Sequence, residues 1–446
     1  MYNLYNKTTT SKNKNSNAVH LQYNPAMKVL IKQATILQQA SPHHLQVQDV
    51  LIAHGKYIAI ENDIATSAAD KVIYAEQGYL TPGFVDAFAQ FNEPGHEHNE
   101  TLHTGAAAAF KGGYTTVCVV PNTTPCIDNK ATIEYIIQQQ NALPVHVHPI
   151  GAVTTNTAGK LLTEMIEMHH AGAVAFSDGL QCIQQPNILL KALQYVKAFN
   201  GIVMQLPHDH SISATGYMHE GIVSTQLGIP GMPSIAEEVM VARDIAICAY
   251  SNSKLHITGI STAQSVGMIA AAKAKGIAVT CSVSPYHLLL NHTANEGYNT
   301  NAKVNPPLRT PQDVLAMQQG LLNGSIDYVA SHHNPLSIDH KLCEYNIAAY
   351  GMSTIEHTFN VVASIPYITP YIIHQVLSHN AAQLLGIATP IIHKEATCSA
   401  TLFALNQNLV VNQTDFISKS TNSAFIDITL KGKIIATLNK QQLYIA

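Results

Sequence analysis

The stretch TPGFVDAFAQFNEPG, residues 81–95, predicts a strand that runs into a loop. A Pro-Gly turn precedes the apolar part of this stretch, and a Glu-Pro-Gly turn follows it. Side chains alternate along a strand, so Asp86, Phe88 and Gln90 share one face. Next, TLHTGAAAAFKGG predicts a helix that ends at a double glycine, and YTTVCVV predicts a second strand. Residues 83–120 therefore begin an alternating series of strands and helices.

This alternation continues to about residue 385 and yields eight strand–helix units. The predicted strands are GFVDAFAQF (83–91), YTTVCVV (114–120), VHVHPIG (145–151), AVAFSD (173–178), IVMQL (202–206), KLHITGI (254–260), AVTCSVS (278–284) and DYVASHH (327–333). Eight parallel units close naturally into a (β/α)8 barrel of the TIM type. A doubly wound open sheet is the alternative, which is weakened because no GxGxxG turn follows the first strand.

The flanks of this region have a different pattern. Residues 27–78 and 390–446 contain short β-like runs with turn signals, such as ATLFALNQNLVV. We predict that both ends of the chain build one small, discontinuous β-sandwich domain, with the barrel spanning residues 79–389. Residues 1–26 include the polar, low-complexity run NKTTTSKNKNSN and are predicted to be a disordered tail, with Met27 as a candidate translation start.

Composition narrows the classes of function. The formal charge of the 446 residues is −4 and only 12% of them are charged, so no basic excess points to nucleic acid or to an anionic membrane. The apolar runs are too short to span a bilayer, and no signal sequence opens the chain. Seven scattered cysteines without a CxxC pair are typical of reduced thiols. We expect a cytoplasmic protein.

Several long motifs resemble those of the dihydroorotases, which belong to the amidohydrolase superfamily. TPGFVDAFAQFNEPG resembles the family's LPGLIDVHVHFREPG, and GGYTTVCVVPNTTPCIDN resembles GGFTTVVCMPNTNPVIDN. GAVAFSDG, GIPGMPSIAEEVMVARDI, KVNPPLRT and NAAQLLGI are also similar to family motifs, so the resemblance covers residues 27–446. It implies a barrel inserted into a β domain, and zinc-assisted opening of the dihydroorotate ring in pyrimidine biosynthesis.

The resemblance also locates the family's metal ligands in this chain. Of the six ligand positions, Asp178 keeps the family residue, whereas the other five positions carry Phe88, Gln90, Leu206, Gly259 and His332. A catalytic zinc needs three or more protein donors. Phe88, Leu206 and Gly259 offer no side-chain donor, and the amide of Gln90 is a poor zinc ligand. We therefore predict no bound metal, no cofactor and no catalytic residue, with Asp178 as a remnant.

Positions that contact the substrate in the family are only partly kept. The arginine that holds the substrate carboxylate falls on Asn92, and a second histidine falls on Leu336. Asn122 and Asn305 match family positions that touch the dihydroorotate ring, although both also belong to turn motifs. They are the candidate substrate-binding residues. Asn92 in place of arginine argues against tight binding of a carboxylate.

Two functions follow from the resemblance. The first is a pseudoenzyme that serves as a non-catalytic structural partner of aspartate transcarbamoylase in a homo-oligomer or hetero-oligomer, without nucleic acid or membrane. The second is an active cyclic amidohydrolase that converts dihydroorotate and water to N-carbamoyl aspartate at a relocated zinc site. PHDHS supplies His208, Asp209 and His210 for such a site, together with Asp178 and His332, although a solvated loop is the plainer interpretation.

Overall fold

The computed structural model describes residues 19–22, 27–75 and 77–446. In that part of the chain the strands are β1 (Val19–Gln22), β2 (Val29–Ile36), β3 (Val47–Ala53), β4 (Lys56–Glu61), β5 (Lys71–Tyr74), β6 (Tyr79–Pro82), β7 (Phe84–Ala89), β8 (Tyr114–Val119), β9 (His146–Gly151), β10 (Ala175–Phe176), β11 (Ile202–Gln205), β12 (Met218–His219), β13 (Gly231–Met232), β14 (Lys254–Ile257), β15 (Val279–Val283), β16 (Tyr328–Val329), β17 (Ser399–Val410), β18 (Thr429–Asn439) and β19 (Gln442–Ile445).

The α-helices of the same residues lie mainly between the strands of the barrel. They are α1 (Leu102–Lys111), α2 (Lys130–Gln139), α3 (Met165–Ala171), α4 (Pro186–Val196), α5 (Ile222–Leu227), α6 (Ile235–Ser251), α7 (Ala263–Ala274), α8 (Pro285–Leu289), α9 (Pro311–Asn323), α10 (Thr358–Ala363), α11 (Pro370–His374) and α12 (Asn380–Leu385). One π-helical turn, Gln375–His379, joins α11 to α12.

Eight parallel strands form the barrel, in the order β16-β15-β14-β11-β10-β9-β8-β7. Short contacts close it between the first and the last strand, where Ala89 bridges His333 and the Gln90 N–H donates to the His333 carbonyl at 2.8 Å. All six residues of β7 are buried, as expected for a parallel strand covered on both faces. The predicted (β/α)8 barrel is confirmed, and an open doubly wound sheet is excluded.

Local sequence sets the ends of the helices that surround the barrel. Thr101 caps α1 and exchanges hydrogen bonds with Thr104 in a capping box. Thr310 caps α9 in the same way with Asp313, and Pro311 occupies the first turn. The apolar faces of these helices pack against the strands and bury a continuous core. This packing fixes the loops at the carboxyl ends of the strands, where barrel sites lie.

An additional nine-stranded sheet combines both ends of the chain. Its order is β1-β19-β18-β17-β6-β2-β3-β4, with β5 beside β2. Side chains of β2, β6, β17 and β18 bury its core, for example Ile31, Leu80, Leu402 and Leu438. β6 belongs to this sheet and leads directly into β7, so it links the sheet to the barrel.

Residues 1–18 and 23–26 of the predicted disordered tail lie outside the described residues. The four described residues of the tail, Val19–Gln22, pair antiparallel with Gln442–Ile445. The edge of β19 thus supplies backbone hydrogen-bond partners to these four residues, and disorder of the tail stays a prediction.

Two further features bear on the class of protein. All seven cysteines are free thiols, and six of them are buried. Among the described residues, none of the helices combines the length and the apolar character needed to cross a bilayer.

Candidate functional site

The end of β7 carries an aromatic ring where the resemblance places a histidine ligand. Phe88 is buried and its ring stacks on His332, with centroids 4.5 Å apart and an interplanar angle of 27°. Gln90 is also buried, and its Nε2 donates to the backbone carbonyl of Asn122 at 2.5 Å. Gln90 Oε1 has no hydrogen-bond partner among the described residues. The first strand therefore ends in a packed ring and a tethered amide.

Asp178, which matches a ligand position of the family, hydrogen-bonds a neighbouring loop through both carboxylate oxygens. One carboxylate oxygen accepts from the Thr154 N–H at 2.8 Å and the other from the Thr154 hydroxyl at 2.5 Å. Burial raises the pKa of the Asp178 carboxyl to about 6, although the Thr154 hydrogen bonds favour the charged form. Asp178 thus anchors the loop after β9 through both of its carboxylate oxygens.

The other three positions pack against one another at the mouth of the barrel. Gly259 has a φ of 67°, and a Cβ placed on it would lie 2.7 Å from His332 Cε1 and 3.2 Å from Leu206 Cδ1. His332 Nε2 lies 2.9 Å from the Thr258 hydroxyl, and burial lowers the pKa of His332 to about 3. A neutral imidazole and a leucine thus fill the space beside Gly259.

A polar network continues from His332 into the barrel interior. Thr258 lies 3.0 Å from the Ser282 hydroxyl, which lies 3.0 Å from His256 Nε2. His256 also meets the Tyr328 hydroxyl at 2.8 Å and stacks on that ring at 4.8 Å. Burial holds the pKa of His256 well below its ordinary value, so this ring is neutral as well. Sequence reasoning missed the network, although the alternating polar residues of HIT and TCS were the available signal.

This donor set does not fit a zinc ion. The Asp178 oxygens bind Thr154, His332 Nε2 bonds Thr258, and Gln90 Nε2 bonds a carbonyl. Within the described part of the chain, no three His, Cys, Asp or Glu side chains come together in a way that could hold a metal. Three protein donors are the minimum for catalytic zinc.

The histidines of PHDHS lie on the rim of the cleft, and the side chain of His208 is hydrogen-bonded within its own loop. His208 Nε2 lies 2.7 Å from the Ser213 hydroxyl, and burial lowers the pKa of His208 to about 4. The Asp209 carboxylate accepts from the N–H groups of Ser211 and Ile212 at 2.8 and 3.0 Å, and His210 is exposed. These contacts shape the loop, which agrees with the plainer interpretation.

The candidate substrate-binding asparagines have different surroundings. Asn122 donates to the Asp178 carbonyl at 3.1 Å and accepts from the Leu180 N–H at 2.8 Å, so both ends of its side chain hold backbone. Asn305 lines the cleft at the barrel mouth, and its Oδ1 has no partner among the described residues. Asn92 donates to the Pro335 carbonyl at 3.1 Å. The Leu336 N–H donates to Asn422 Oδ1 at 2.9 Å, and neither Asn92 nor Leu336 lines the cleft.

A buried ion pair that sequence reasoning did not single out fixes the loop next to Gly259. The guanidinium of Arg309 lies 3.7 Å from the Glu237 carboxylate and donates to the Ser261 hydroxyl at 3.0 Å. Glu237 accepts from the N–H groups of Ser261 and Thr262 at 2.9 and 3.1 Å. The two residues belong to the motifs KVNPPLRT and SIAEEV. Sequence reasoning missed their contact because only the folded barrel brings these motifs together.

These groups surround a cleft of about 690 Å³ at the carboxyl ends of the strands. Its lining residues are Leu180, Gln181, Leu206, His208, His210, Ser213, Ala214, Gly216, Tyr217, Met232, Tyr286, Asn305, His332, Asn334, Ala349, Tyr350 and Gly351. The cleft thus contains three of the predicted site residues, Leu206, Asn305 and His332, together with the rim histidines.

Comparison with known proteins adds sequence relatives and structural neighbours. A family model described as dihydro-orotase-like matches residues 78–265. A dihydroorotase of Pelotomaculum thermopropionicum is 38% identical over 416 residues, covering 92% of this chain and 97% of the relative. A dihydroorotase of Syntrophus aciditrophicus is 35% identical over 417 residues, covering 92% and 98%.

The structural neighbours support the fold alone. An L-hydantoinase (dihydropyrimidinase) from Arthrobacter aurescens has a TM-score of 0.80 at 20% identity, covering 94% of this chain and 96% of the neighbour. A dihydropyrimidinase from Brevibacillus agri has a TM-score of 0.78 at 20% identity, covering 94% and 95%.

Proposed function

This chain belongs to the dihydroorotase family of the pyrimidine pathway, and we propose that it is a member without zinc-dependent hydrolysis that serves as a non-catalytic partner of aspartate transcarbamoylase. The observation that carries the first part is the packing of His332 between Phe88 and Gly259. Side chains occupy the space in which the family's ligands would converge. The consequence is a pseudoenzyme that keeps the barrel and lacks the metal ligands of the family.

The chemistry of ring opening supports this proposal. Hydrolysis of a cyclic amide near neutral pH needs a polarised carbonyl and an activated water, which a metal supplies in the family. Two of the polar groups that remain here are hydrogen-bonded within the protein, Asp178 to Thr154 and His332 to Thr258. His332 stands where the family has a carboxylate that accepts a proton, and its Nε2 is hydrogen-bonded to Thr258.

The second part of the proposal rests on the resemblance to non-catalytic dihydroorotase-like chains. It is supported by the extent of the conserved architecture, because the alignment covers 97% and 98% of two dihydroorotases. The buried Glu237–Arg309 pair and the continuous core hold the barrel together through the protein's own side chains. A rigid barrel suits the role of a scaffold that stabilises a partner enzyme.

Metal content tests the first part. Tag-free protein is offered zinc, dialysed and measured by elemental mass spectrometry, and dihydroorotate hydrolysis is assayed on the same sample. We expect far less than one zinc per chain and no turnover. About one zinc per chain with turnover would overturn the proposal and favour the relocated site, because His208, His210 and His332 line the same cleft. The double variant H208A/H210A would then lose both zinc and activity.

Co-expression with the aspartate transcarbamoylase of the same cell tests the second part. We expect the two chains to co-elute in size-exclusion chromatography with light scattering, and the transcarbamoylase to lose assembly or activity when this chain is omitted. A transcarbamoylase that keeps its full assembly and activity alone, with no complex formed, contradicts a scaffold role.

A further inference from the structure

We propose that a pocket between the barrel and the additional sheet, here called the junction pocket, binds an aromatic monocarboxylate. The pocket has a volume of about 450 Å³, which lies within the usual range of small-molecule sites. Its lining comes from the last residue of α1, from the segments 356–360 and 414–417, and from β17, β18 and β19. It shares no lining residue with the cleft at the barrel mouth. Binding there does not depend on the proposed loss of catalysis or on the partner role.

The walls of the junction pocket suit a flat apolar body. Phe416 and Tyr444 supply aromatic rings, and Leu409 and Ile434 supply aliphatic side chains. The Phe416 ring also packs against the imidazole of His357, with centroids 4.9 Å apart and an interplanar angle of 58°. An aromatic ligand gains stacking or edge contacts with such rings in addition to the burial of its apolar area.

Three side chains offer unpaired hydrogen-bond donors to the junction pocket. His357 is 2% exposed, and its Nδ1 has no hydrogen-bond partner among the described residues. Burial lowers the pKa of His357 to about 3, so near pH 7 the neutral ring carries one N–H. Within the described part of the chain, the Lys433 ammonium and the Tyr444 hydroxyl also make no hydrogen bond or ion pair. A carboxylate only accepts hydrogen bonds, so its two oxygens complement these donors.

The acidic groups of the junction pocket leave Lys433 available to an anion. The Glu356 carboxylate lies 2.8 Å from the Lys111 ammonium, and both of its oxygens accept from the Ile417 N–H at 3.0 Å. The side chain of Asp415 is exposed, so water and salt screen its charge. A carboxylate that enters the pocket therefore gains a charge-assisted hydrogen bond from Lys433, whereas an uncharged ring of the same shape does not.

Matched ligands test the proposal by isothermal titration calorimetry on the full-length protein. Indole-3-acetate is compared with indole-3-acetamide, which has the same ring without the charge, and with acetate, which lacks the ring. We expect the aromatic acid to bind at least roughly tenfold more tightly than its amide, a difference of about 1.4 kcal/mol. Acetate should show no binding at millimolar concentration. An amide that binds as tightly as the acid, or an aromatic acid that fails to bind at millimolar concentration, overturns the proposal.

A pair of lysine variants locates the carboxylate. Lys433→Gln removes the charge and keeps a donor, so it should weaken the binding of indole-3-acetate roughly tenfold and leave that of indole-3-acetamide almost unchanged. Lys431→Gln removes the same charge from an exposed position of β18 outside the lining, and it should change neither affinity. If Lys433→Gln has no more effect than Lys431→Gln, the acid does not bind beside Lys433 and the proposal is wrong.

A blocking variant locates the ring. Thr414 is an exposed residue of the lining, so Thr414→Trp places a large side chain in the junction pocket without disturbing the core. We expect it to abolish the binding of indole-3-acetate and to leave the urea midpoint of unfolding unchanged. Gln413→Trp, at the adjacent exposed position outside the lining, is the control and should keep the affinity of the parent protein. Binding that survives Thr414→Trp would place the ligand elsewhere and contradict the proposal.

Discussion

Gly259 is a tightly constrained residue at the mouth of the barrel. Its φ of 67° disfavours any side chain, and a Cβ would approach His332 Cε1 to 2.7 Å. We expect Gly259→Ala to lower the free energy of unfolding by roughly 2–4 kcal/mol, through backbone strain plus overpacking. Urea denaturation of Gly259→Ala, His332→Ala and the double variant should reveal positive coupling, because removal of the imidazole relieves the clash.

Gly276→Ala is the matched control for this cycle. Gly276 has a φ of 76°, and a Cβ there would meet nothing within 4 Å. The control therefore reports the backbone strain alone, about 1 kcal/mol. If Gly259→Ala costs no more than Gly276→Ala, or if the cycle is additive, the tight packing around His332 is disproved.

The residues of the site were predictable as positions but not as contacts. Period-two patterning and the resemblance placed Phe88, Gln90 and His332 at the ends of the first and last barrel strands, and the structure brings Phe88 and His332 into ring contact. The partner of Asp178 could not be predicted, because Thr154 lies 24 residues away in a loop. A hydrogen bond between two loops depends on the closed barrel and leaves no local pattern in the sequence.

The segment 341–351 ends in three residues that line the cleft, Ala349, Tyr350 and Gly351, and a buried lysine at its start hydrogen-bonds the surrounding backbone. Lys341 Nζ donates to the carbonyls of Thr300, Lys303 and Ala349 at 2.9, 3.3 and 2.8 Å. Lys341→Met keeps the apolar stem and removes all three donors. The Ala349 carbonyl then loses its partner, whereas the carbonyls of Thr300 and Lys303 keep the N–H donors of Lys303 and Gly351. We expect amide hydrogen exchange in residues 341–351 to accelerate by roughly tenfold or more.

Lys275→Met is the control for that measurement, because Lys275 is exposed at the end of α7. It should leave exchange in residues 341–351 unchanged. Equal protection of this segment in Lys341→Met and in the parent protein would assign its rigidity to the tyrosines around Lys303 instead.

At the scale of elements, the eight barrel strands followed from sequence because each is a short apolar run between helical patterns. Strands that depend on a distant partner did not follow. β12 and β13 are two residues each and exist only because they pair with one another, and β1 depends on the edge of β19. Backbone pairing across such separations carries no periodic signal that the local sequence could supply.

For the whole molecule, buried histidines make the fold sensitive to acid. Burial lowers the pKa of nine histidines among the described residues: His146, His148, His208, His219, His256, His287, His332, His357 and His374. In the unfolded chain these rings bind protons near pH 6.5, whereas the folded state keeps most of them neutral down to about pH 4. The unfolded state therefore binds more protons in this window, and stability falls as the pH falls from about 6.5.

Three buried carboxyls have the opposite effect on the stability of the fold as the pH falls. Burial raises the pKa of Asp86, Asp178 and Asp244 to about 6, so the folded state binds their protons between about pH 6 and 4 and gains stability there. Nine histidines outweigh three carboxyls, and we expect the urea midpoint to fall between pH 7 and pH 5.

His357→Leu removes a ring whose pKa is lowered to about 3. It should reduce the slope of the free energy of unfolding against pH by up to about 1.4 kcal/mol per pH unit. The exposed His98→Leu should leave the slope unchanged, whereas a midpoint that rises towards pH 5 would mean that the carboxyls control the acid response of the fold.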